Sequence, residues 1–198
     1  MLAHQMKLRS LALLGVGGWA LYRLTQQTGA PPGVQPVQPF SLMRYLGRWY
    51  EIARIDQGHQ HGLTDTTVDY RLLPGRRVQL VHRGYQPATR RWQEVRASAR
   101  PQPGGAEAHL QASFIWPVRA SHIVFAIDDD YQHALISGPS HDQLWLLSRT
   151  PQIRPSVRAA LLEQARDAGF DTDRLLWVDQ RRHRAGLGAG LSRRKLLR

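Results

Sequence analysis

The sequence predicts an all-β protein: an eight-stranded antiparallel up-and-down β-barrel with one C-terminal α-helix packed outside it and a short ninth strand. Eight segments rich in strand-forming residues follow one another at steady spacing. The connections between neighbours are of hairpin length, which favours a barrel over a sandwich. The eight segments are residues 45–56, 66–73, 77–86, 91–99, 108–116, 121–128, 131–138 and 142–149.

Turn-forming residues mark the ends of these segments. Pro74 separates the second segment from the third, and Pro87 ends the third. A run of proline and glycine over residues 101–105 follows the fourth, and Pro139 and Pro151 follow the last two. Proline and glycine supply the backbone conformations that tight turns need, so each boundary has a local cause.

One segment after these strands has helical character. Pro155 suits the first position of a helix, and Gly169 suits its end. Apolar residues recur between them at helical spacing, with charged residues on the other side. A single apolar stripe cannot cover a large sheet, so we expect the helix to pack against the outside of the barrel. Residues 175–180, LLWVDQ, predict the short last strand.

Residues 1–28 predict a signal-like or membrane-anchoring segment. Lys7 and Arg9 precede an apolar run from Leu11 to Tyr22. That is the pattern of an export signal, and the run is short for a membrane span. A partly helical arm without a targeting role is the alternative. Residues 29–39 then predict a proline-rich linker.

The basic residues are concentrated at the two ends of the chain. The formal net charge is +12, of which residues 1–39 carry +3 and residues 181–198 carry +7. The domain expected over residues 40–180 is therefore nearly neutral, at +2, and no nucleic-acid partner is expected. We expect residues 181–198 to form a disordered, solvated tail. A weak attraction of this tail to anionic lipid or nucleic acid is the alternative.

A tryptophan near the start of the first strand needs a partner. An eight-stranded barrel is just wide enough to hold one small ligand, and one end must be closed, so Trp49 is a candidate plug. A guanidinium stacks well on an indole face. Arg149 ends the eighth strand, which neighbours the first strand in a closed barrel. Gly47 leaves room for the chain to enter at this crowded rim.

Three segments, in order, resemble the signature motifs of the lipocalin family. GRWYEIARID resembles the first motif, YQHALISG the second and LLSRTP the third. FSLMRYLGRWYEIARID, HRGYQP, DDDYQHALISGP and LWLLSRTP are similar to segments of bacterial outer-membrane lipocalins and their relative apolipoprotein D. The resemblance spans residues 40–180 and makes four residues the structural signature: Gly47, Trp49, Tyr131 and Arg149.

The resemblance implies a calyx that binds a small hydrophobic ligand, a fatty acid or lysophospholipid, for storage or transport in the bacterial cell envelope. The family's lining positions carry over to Tyr70, His82, Phe114, His122, Val124 and Trp145. An apolar wall with a few polar groups is typical of small-molecule pockets. His82 and His122 are candidates to orient a carboxylate or phosphate head group. The alternative is that both are ordinary strand or core histidines.

The sixth strand leaves its side-chain parity open. Placing His122 and Val124 inside the barrel puts Ile123, Phe125 and Ile127 outside, and the outer set is the more apolar one. Such a set fits packing under the helix, and it also fits an inverted assignment in which these three residues point inward.

The bacterial relatives usually carry a lipid-modified cysteine after their signal, and this chain contains no cysteine. We therefore expect no acyl anchor of that kind. The expected location is the periplasm, or the membrane through an uncleaved tether over residues 7–24. Membrane contact through that tether and the basic tail is open. For the apolar loop Trp116, Pro117 and Val118 three roles are open: contact with a membrane, contact with a second subunit in a homodimer, and ordinary capping of the barrel.

No familiar catalytic or metal-binding motif occurs. The patterns G-x-S-x-G, H-E-x-x-H and the phosphate loop are absent from the sequence. We therefore expect a binding protein without catalytic residues or a cofactor; a lipocalin-fold enzyme acting on a lipid or small hydrophobic substrate is the alternative. His59 and His61 lack further ligands nearby, and Asp128–Asp130 lack the spacing of a calcium loop, so no metal is expected.

Overall fold

The computed structural model describes residues 26–55, 60–114 and 118–184, apart from the side chains of residues 26 and 27. Its strands are β1 (Gln26–Gln27), β2 (Gly47–Ile55), β3 (Thr64–Leu73), β4 (Arg77–Gln86), β5 (Arg91–Pro101), β6 (His109–Ser113), β7 (Arg119–Ile127), β8 (His133–Ser137), β9 (Leu144–Ser148) and β10 (Leu175–Trp177). Its helices are α1 (Leu42–Tyr45) and α2 (Pro155–Asp167), and a 3-10 turn covers Thr172–Arg174.

Strands β2 to β9 form the closed barrel that the sequence predicts. Each strand pairs antiparallel with the next along the chain. Strand β9 then returns to pair with β2, with Ser148 opposite Tyr50. Strand β10 pairs with the second half of β2, beyond the part of β2 that pairs with β3. The predicted ninth strand therefore lies outside the ring of eight.

Helix α2 packs on the outer surface of the barrel, as predicted. It begins at Pro155, and Gly169 adopts a positive φ of 89° just beyond its end. Leu161 and Ala165 are buried in an outer apolar cluster that also contains Ile123 of β7. Burial of this one stripe is what holds the helix on the barrel.

The alternation of side chains along β7 settles the parity of that strand. Val124 belongs to the inner apolar cluster, whereas Ile123 and Phe125 pack in the outer cluster beneath α2. Ile127 departs from this alternation and packs against the inner cluster. The reason is a register shift between Val124 and Ala126, which inserts one extra residue in the strand.

The four signature residues meet at the closed end of the barrel. The indole of Trp49 is fully buried, and the Cζ atom of Arg149 lies 3.9 Å from its ring centroid. This contact confirms the predicted stacking. Gly47 has a positive φ of 98°, and a Cβ atom there would lie 3.3 Å from a guanidinium nitrogen of Arg149. The hydroxyl of Tyr131 accepts a 2.8 Å hydrogen bond from the backbone N–H of Ser41.

A β-bulge in β2 turns a charged side chain into the barrel. The register with β9 shifts between Glu51 and Ala53, and Ile52 and Ala53 both pack in the outer cluster. Arg54 therefore points to the same side as Glu51, where a strict period of two would have placed it outside. Both side chains are buried, and they form an ion pair of 2.7 Å between Nη1 and Oε1.

The proline-rich stretch packs against the barrel. Val34 is buried in the outer cluster, and the backbone N–H of Val37 donates to the carbonyl of Val124 at 2.9 Å. Residues 29–39 thus contribute to the core, which the sequence analysis did not expect of a linker. The apolar run Leu11–Tyr22 lies outside the described residues. Within the described ranges, no helix combines the length and the apolar character needed to cross a membrane.

The first residues of the basic tail are anchored on the barrel. Residues 181–184 are helical. The buried carboxylate of Asp65 accepts hydrogen bonds from the backbone N–H of Arg182 at 2.8 Å and from its guanidinium at 2.9 Å. Arg182 also stacks on Tyr85. The disorder expected from Arg181 onward therefore does not begin at that residue. We call residues 179–184 the C-terminal strap. Residues 185–198 lie outside the described part of the chain.

Candidate ligand-binding site

The barrel interior holds a cavity of about 190 Å³. Strand positions two apart supply much of its wall, because alternate side chains of a strand face the same side. The apolar lining residues are Val68, Leu80, Ala112, Phe114, Ala120, Trp145 and Leu147. The polar lining residues are Glu51, Gln60, Tyr70, His82, Ser121, His122 and Gln143.

Five of the six residues expected to line the pocket lie on this wall. They are Tyr70, His82, Phe114, His122 and Trp145. Val124 is fully buried in the inner apolar cluster and does not belong to the cavity wall. The positions carried over from the family resemblance therefore face the barrel interior, and their contact with a ligand stays a prediction.

A tyrosine and a histidine form a hydrogen-bonded pair in the cavity wall. The hydroxyl of Tyr70 and Nε2 of His122 lie 3.0 Å apart. Burial, together with smaller effects of His82 and His109, lowers the pKa of His122 to about 3. Burial also raises the pKa of Tyr70 well above its usual value. Both groups are therefore neutral near pH 7, so His122 offers hydrogen bonding and no positive charge.

Gln60 connects the Glu51–Arg54 ion pair to the cavity wall. Its backbone carbonyl accepts a hydrogen bond from Nη2 of Arg54 at 2.7 Å. Its side-chain Oε1 accepts one from the indole N–H of Trp145 at 3.3 Å. Burial raises the pKa of Glu51, and the adjacent guanidinium of Arg54 opposes that rise. At this point the wall therefore presents two opposite charges, on Glu51 and Arg54, that offset each other.

Phe114 lies at an entrance to the cavity. Its side chain is 46% exposed although it lines the cavity, and its ring centroid lies 5.5 Å from that of His82. A smaller cavity of about 40 Å³ shares both residues and adds the exposed Val95. An apolar ligand entering here would meet an aromatic ring first.

A serine of β7 and a histidine of β6 also lie close together next to the cavity wall. Oγ of Ser121, a lining residue, is 2.9 Å from Nε2 of His109, and both side chains are buried. Burial lowers the pKa of His109, so its imidazole is neutral near pH 7. His109 lies opposite Ile123 of the outer cluster, and Ser121 alternates with the inward-facing His122, so the hydroxyl and the imidazole both face away from the cavity.

In the acidic turn that follows β7, the carboxylate of Asp128 finds its hydrogen-bond partners within the turn itself. Oδ1 of Asp128 accepts hydrogen bonds from the backbone N–H groups of Gln132 and His133 at 2.6 and 3.1 Å. Its Oδ2 lies 2.7 Å from Nδ1 of His133. In the part of the chain that the structure describes, no group of three or more potential ligands surrounds a metal position. His61 is exposed, and His59, Trp116 and Pro117 lie outside the described residues.

Sequence reasoning missed four polar residues of the wall, Glu51, Gln60, Ser121 and Gln143. Gln143 precedes Trp145 by two positions, so the alternation that places Trp145 inside could have found it. Glu51 follows Trp49 by two positions, so the strand alternation that places Trp49 inside could have found it. Ser121 precedes His122 directly, and strict alternation would have placed it outside. Gln60 belongs to the loop between β2 and β3, where no periodic pattern assigns a direction.

Comparisons with known proteins agree with this architecture. A family model described as a lipocalin-like domain matches residues 40–180. The outer membrane lipoprotein Blc of Vibrio cholerae is 38% identical over 153 residues, covering 77% of this chain and 90% of the relative. Apolipoprotein D of Mus musculus is 25% identical over 154 residues, covering 73% and 80%.

Solved structures share the same fold. The crystal structure of apocrustacyanin C2 superposes with a TM-score of 0.61 at 15% identity, covering 77% of this chain and 90% of that chain. Similarity at this level of identity speaks for the barrel fold alone.

Proposed function

Because this chain belongs to the lipocalin family, we propose that it binds a fatty acid or a lysophospholipid in the barrel cavity and stores or transports it. The observation that carries the proposal is the closed-ended barrel with a mostly apolar cavity wall. Each methylene group of an acyl chain that leaves water for such a wall contributes about 0.8 kcal/mol.

The cavity is large enough for an apolar guest. An apolar cavity of about 150 Å³ in another protein admits benzene, and the cavity here measures about 190 Å³. The partly exposed Phe114 marks where a longer chain can project to solvent. The closed end behind Trp49 limits how far the chain can enter.

The charges around the cavity favour entry with the apolar end first. Arg54 already forms an ion pair with Glu51, and His122 is neutral near pH 7. A carboxylate or phosphate deep in the cavity would lose its hydration without gaining a cationic partner. The polar head group therefore stays near His82 and Phe114, and His122 serves the inner wall rather than the head group.

The relatives support a place in the bacterial cell envelope. The Vibrio cholerae and Escherichia coli relatives are both named outer membrane lipoproteins. The apolar run Leu11–Tyr22 fits an export or tethering role. Fractionation of the native host, with mass measurement of the mature N-terminus, tests this location and distinguishes a released from a tethered protein.

Titration with a fluorescent fatty acid tests the binding proposal. The full-length protein should saturate at one ligand per chain. Ala112→Phe places a ring in the cavity and should weaken binding at least tenfold, since the guest and the ring compete for one space. Ala159→Phe, on the exposed side of α2, is the matched control and should bind as wild type. Equal affinity for all three proteins would contradict the proposed site.

A further inference from the structure

Charge within the nearly neutral domain is segregated along the chain. Residues 71–127 contain nine arginines and two acidic residues, whereas residues 128–180 contain five arginines and nine acidic residues. The first range includes β4 to β7, which are adjacent in the sheet. The second includes β8, β9 and α2. One side of the barrel is therefore strongly basic, although the domain as a whole is not.

Four arginines of the basic side surround one groove on the outer wall. Arg77 of β4, Arg96 and Arg100 of β5 and Arg119 of β7 line a groove of about 510 Å³, and all four are exposed. The other residues lining this groove are neutral. Arg96 also pairs with Glu94 at 2.8 Å. We call this surface the arginine wall.

Apolar side chains border the arginine wall on the side of the cavity entrance. Phe114 lines the groove and the cavity, and Val118 directly precedes Arg119. Their side chains are 46% and 44% exposed. Exposed apolar residues next to a cluster of cations are the composition of surfaces that sit at a lipid–water interface.

The N-terminal segment reaches the barrel beside the same surface. Gln26 of β1 pairs with Arg119 of β7 in a parallel bridge. The apolar run ends at Tyr22, four positions before Gln26. If the run is retained in a membrane, the chain connects it to the barrel next to the arginine wall and the cavity entrance.

We propose that the arginine wall docks on an anionic phospholipid bilayer, with Phe114 and Val118 at the level of the head groups. Arginine pairs with phosphate through charge-assisted hydrogen bonds, and the apolar rim contributes burial in the interface. A nucleic acid would use the arginines and leave the apolar rim without a partner, so the bilayer is the better fit. Docking in this orientation brings the cavity entrance to the membrane surface.

Vesicle binding by the full-length protein tests the proposal. The wall variant carries Arg77→Gln, Arg100→Gln and Arg119→Gln. The control variant carries Arg154→Gln, Arg158→Gln and Arg166→Gln, which are exposed residues in or next to α2. Both variants have the same net charge and keep the apolar run. Binding is measured by co-sedimentation with vesicles of phosphatidylcholine alone and of an equimolar mixture with phosphatidylglycerol.

The wall variant should lose roughly 100-fold of its binding to the anionic vesicles, since each arginine near such a surface contributes about fivefold. Binding to phosphatidylcholine alone should not change. Equal losses in the two variants, or no loss in the wall variant, would overturn the proposal. Loss of salt-sensitive DNA retention without loss of vesicle binding would overturn it in favour of a nucleic acid. Fatty-acid titration of the same variants should match wild type, so this test is independent of the proposed cavity function.

Discussion

The guanidinium of Arg149 lies over the indole of Trp49 and at the same time caps the carboxyl end of α1. Its Cζ atom is 3.9 Å from the indole centroid. Its Nη2 donates to the backbone carbonyls of Arg44 and Leu46 at 2.8 and 3.0 Å. The indole N–H of Trp49 donates to the carbonyl of Tyr45 at 2.8 Å. One cation thus joins the last barrel strand, the first barrel strand and the helix that closes the end.

Trp49→Ala should destabilise the fold by about 3–5 kcal/mol, because it leaves a cavity in the closed end and removes the surface on which Arg149 stacks. Trp177→Ala is the matched control, since Trp177 is exposed and contacts Arg158 on the surface. It should cost less than about 1 kcal/mol. Urea unfolding at neutral pH measures both values, and equal midpoints for wild type and Trp49→Ala would refute the plug role.

Arg149→Lys should destabilise the fold by about 2–3 kcal/mol even though it conserves the charge. An ammonium group cannot span the set of carbonyls that the guanidinium reaches, so some of them lose a charge-assisted hydrogen bond. Arg154→Lys, at an exposed position before α2, serves as the control and should unfold as wild type. Urea unfolding measures both variants, and an Arg149→Lys variant as stable as wild type would show that charge alone is sufficient at the closed end.

His122 should make the stability of the protein fall in acid. Its pKa is lowered from 6.5 to about 3 in the folded protein, chiefly by burial. Protonation therefore favours the unfolded chain, and the stability present above pH 6.5 is lost as the pH falls toward 3. The shift corresponds to roughly 4–5 kcal/mol over that range.

Comparison with His122→Gln isolates this contribution from that of the other titrating groups. Glutamine keeps an acceptor for the hydroxyl of Tyr70 but does not titrate. Urea midpoints measured between pH 7 and pH 3 should fall less steeply for the variant. His61→Gln, at an exposed position, should follow the wild-type curve. Parallel curves for wild type and His122→Gln would mean that His122 does not couple protonation to folding.

Trp145→Ala should weaken fatty-acid binding about tenfold or more, because it removes an apolar part of the cavity wall and frees the Gln60 side chain that its indole holds. Trp145 is only partly buried, so the loss of stability should be smaller than for Trp49→Ala. Titration with the fluorescent fatty acid gives the affinity, and thermal unfolding gives the stability. Unchanged affinity would remove Trp145 from the ligand site.

Truncation at two points should reveal the boundary of the C-terminal strap. Deleting residues 185–198 should leave the melting temperature unchanged. Deleting residues 181–198 should lower it, because the buried carboxylate of Asp65 loses the guanidinium of Arg182. Fatty-acid affinity measured below both transitions should match wild type in each case. Identical melting curves for the two truncations would mean that the strap adds nothing to stability.

The strands were predictable from the sequence because their causes are local. Alternation of side chains, turn residues such as Pro74 and Pro87, and the helix start at Pro155 act over a few positions each. The contact of Trp49 with Arg149 was also predictable from the sequence, since closure of a barrel makes the first and last strands neighbours. The barrel and its external helix needed no further information, whereas the expected lining positions also depended on the resemblance to the lipocalin family.

The tertiary structure alone decided the features that depend on pairing between distant strands. The bulges in β2 and β7 arise where neighbouring strands fall out of register, and they send Arg54 and Ile127 inward against the simple alternation. The strap is held by Asp65, which is 117 residues away from Arg182. The arginine wall exists because β4 to β7 are adjacent in the barrel, so charges spread along the chain gather on one face. A local pattern cannot encode such contacts, since their energy depends on which segments the closed sheet brings together.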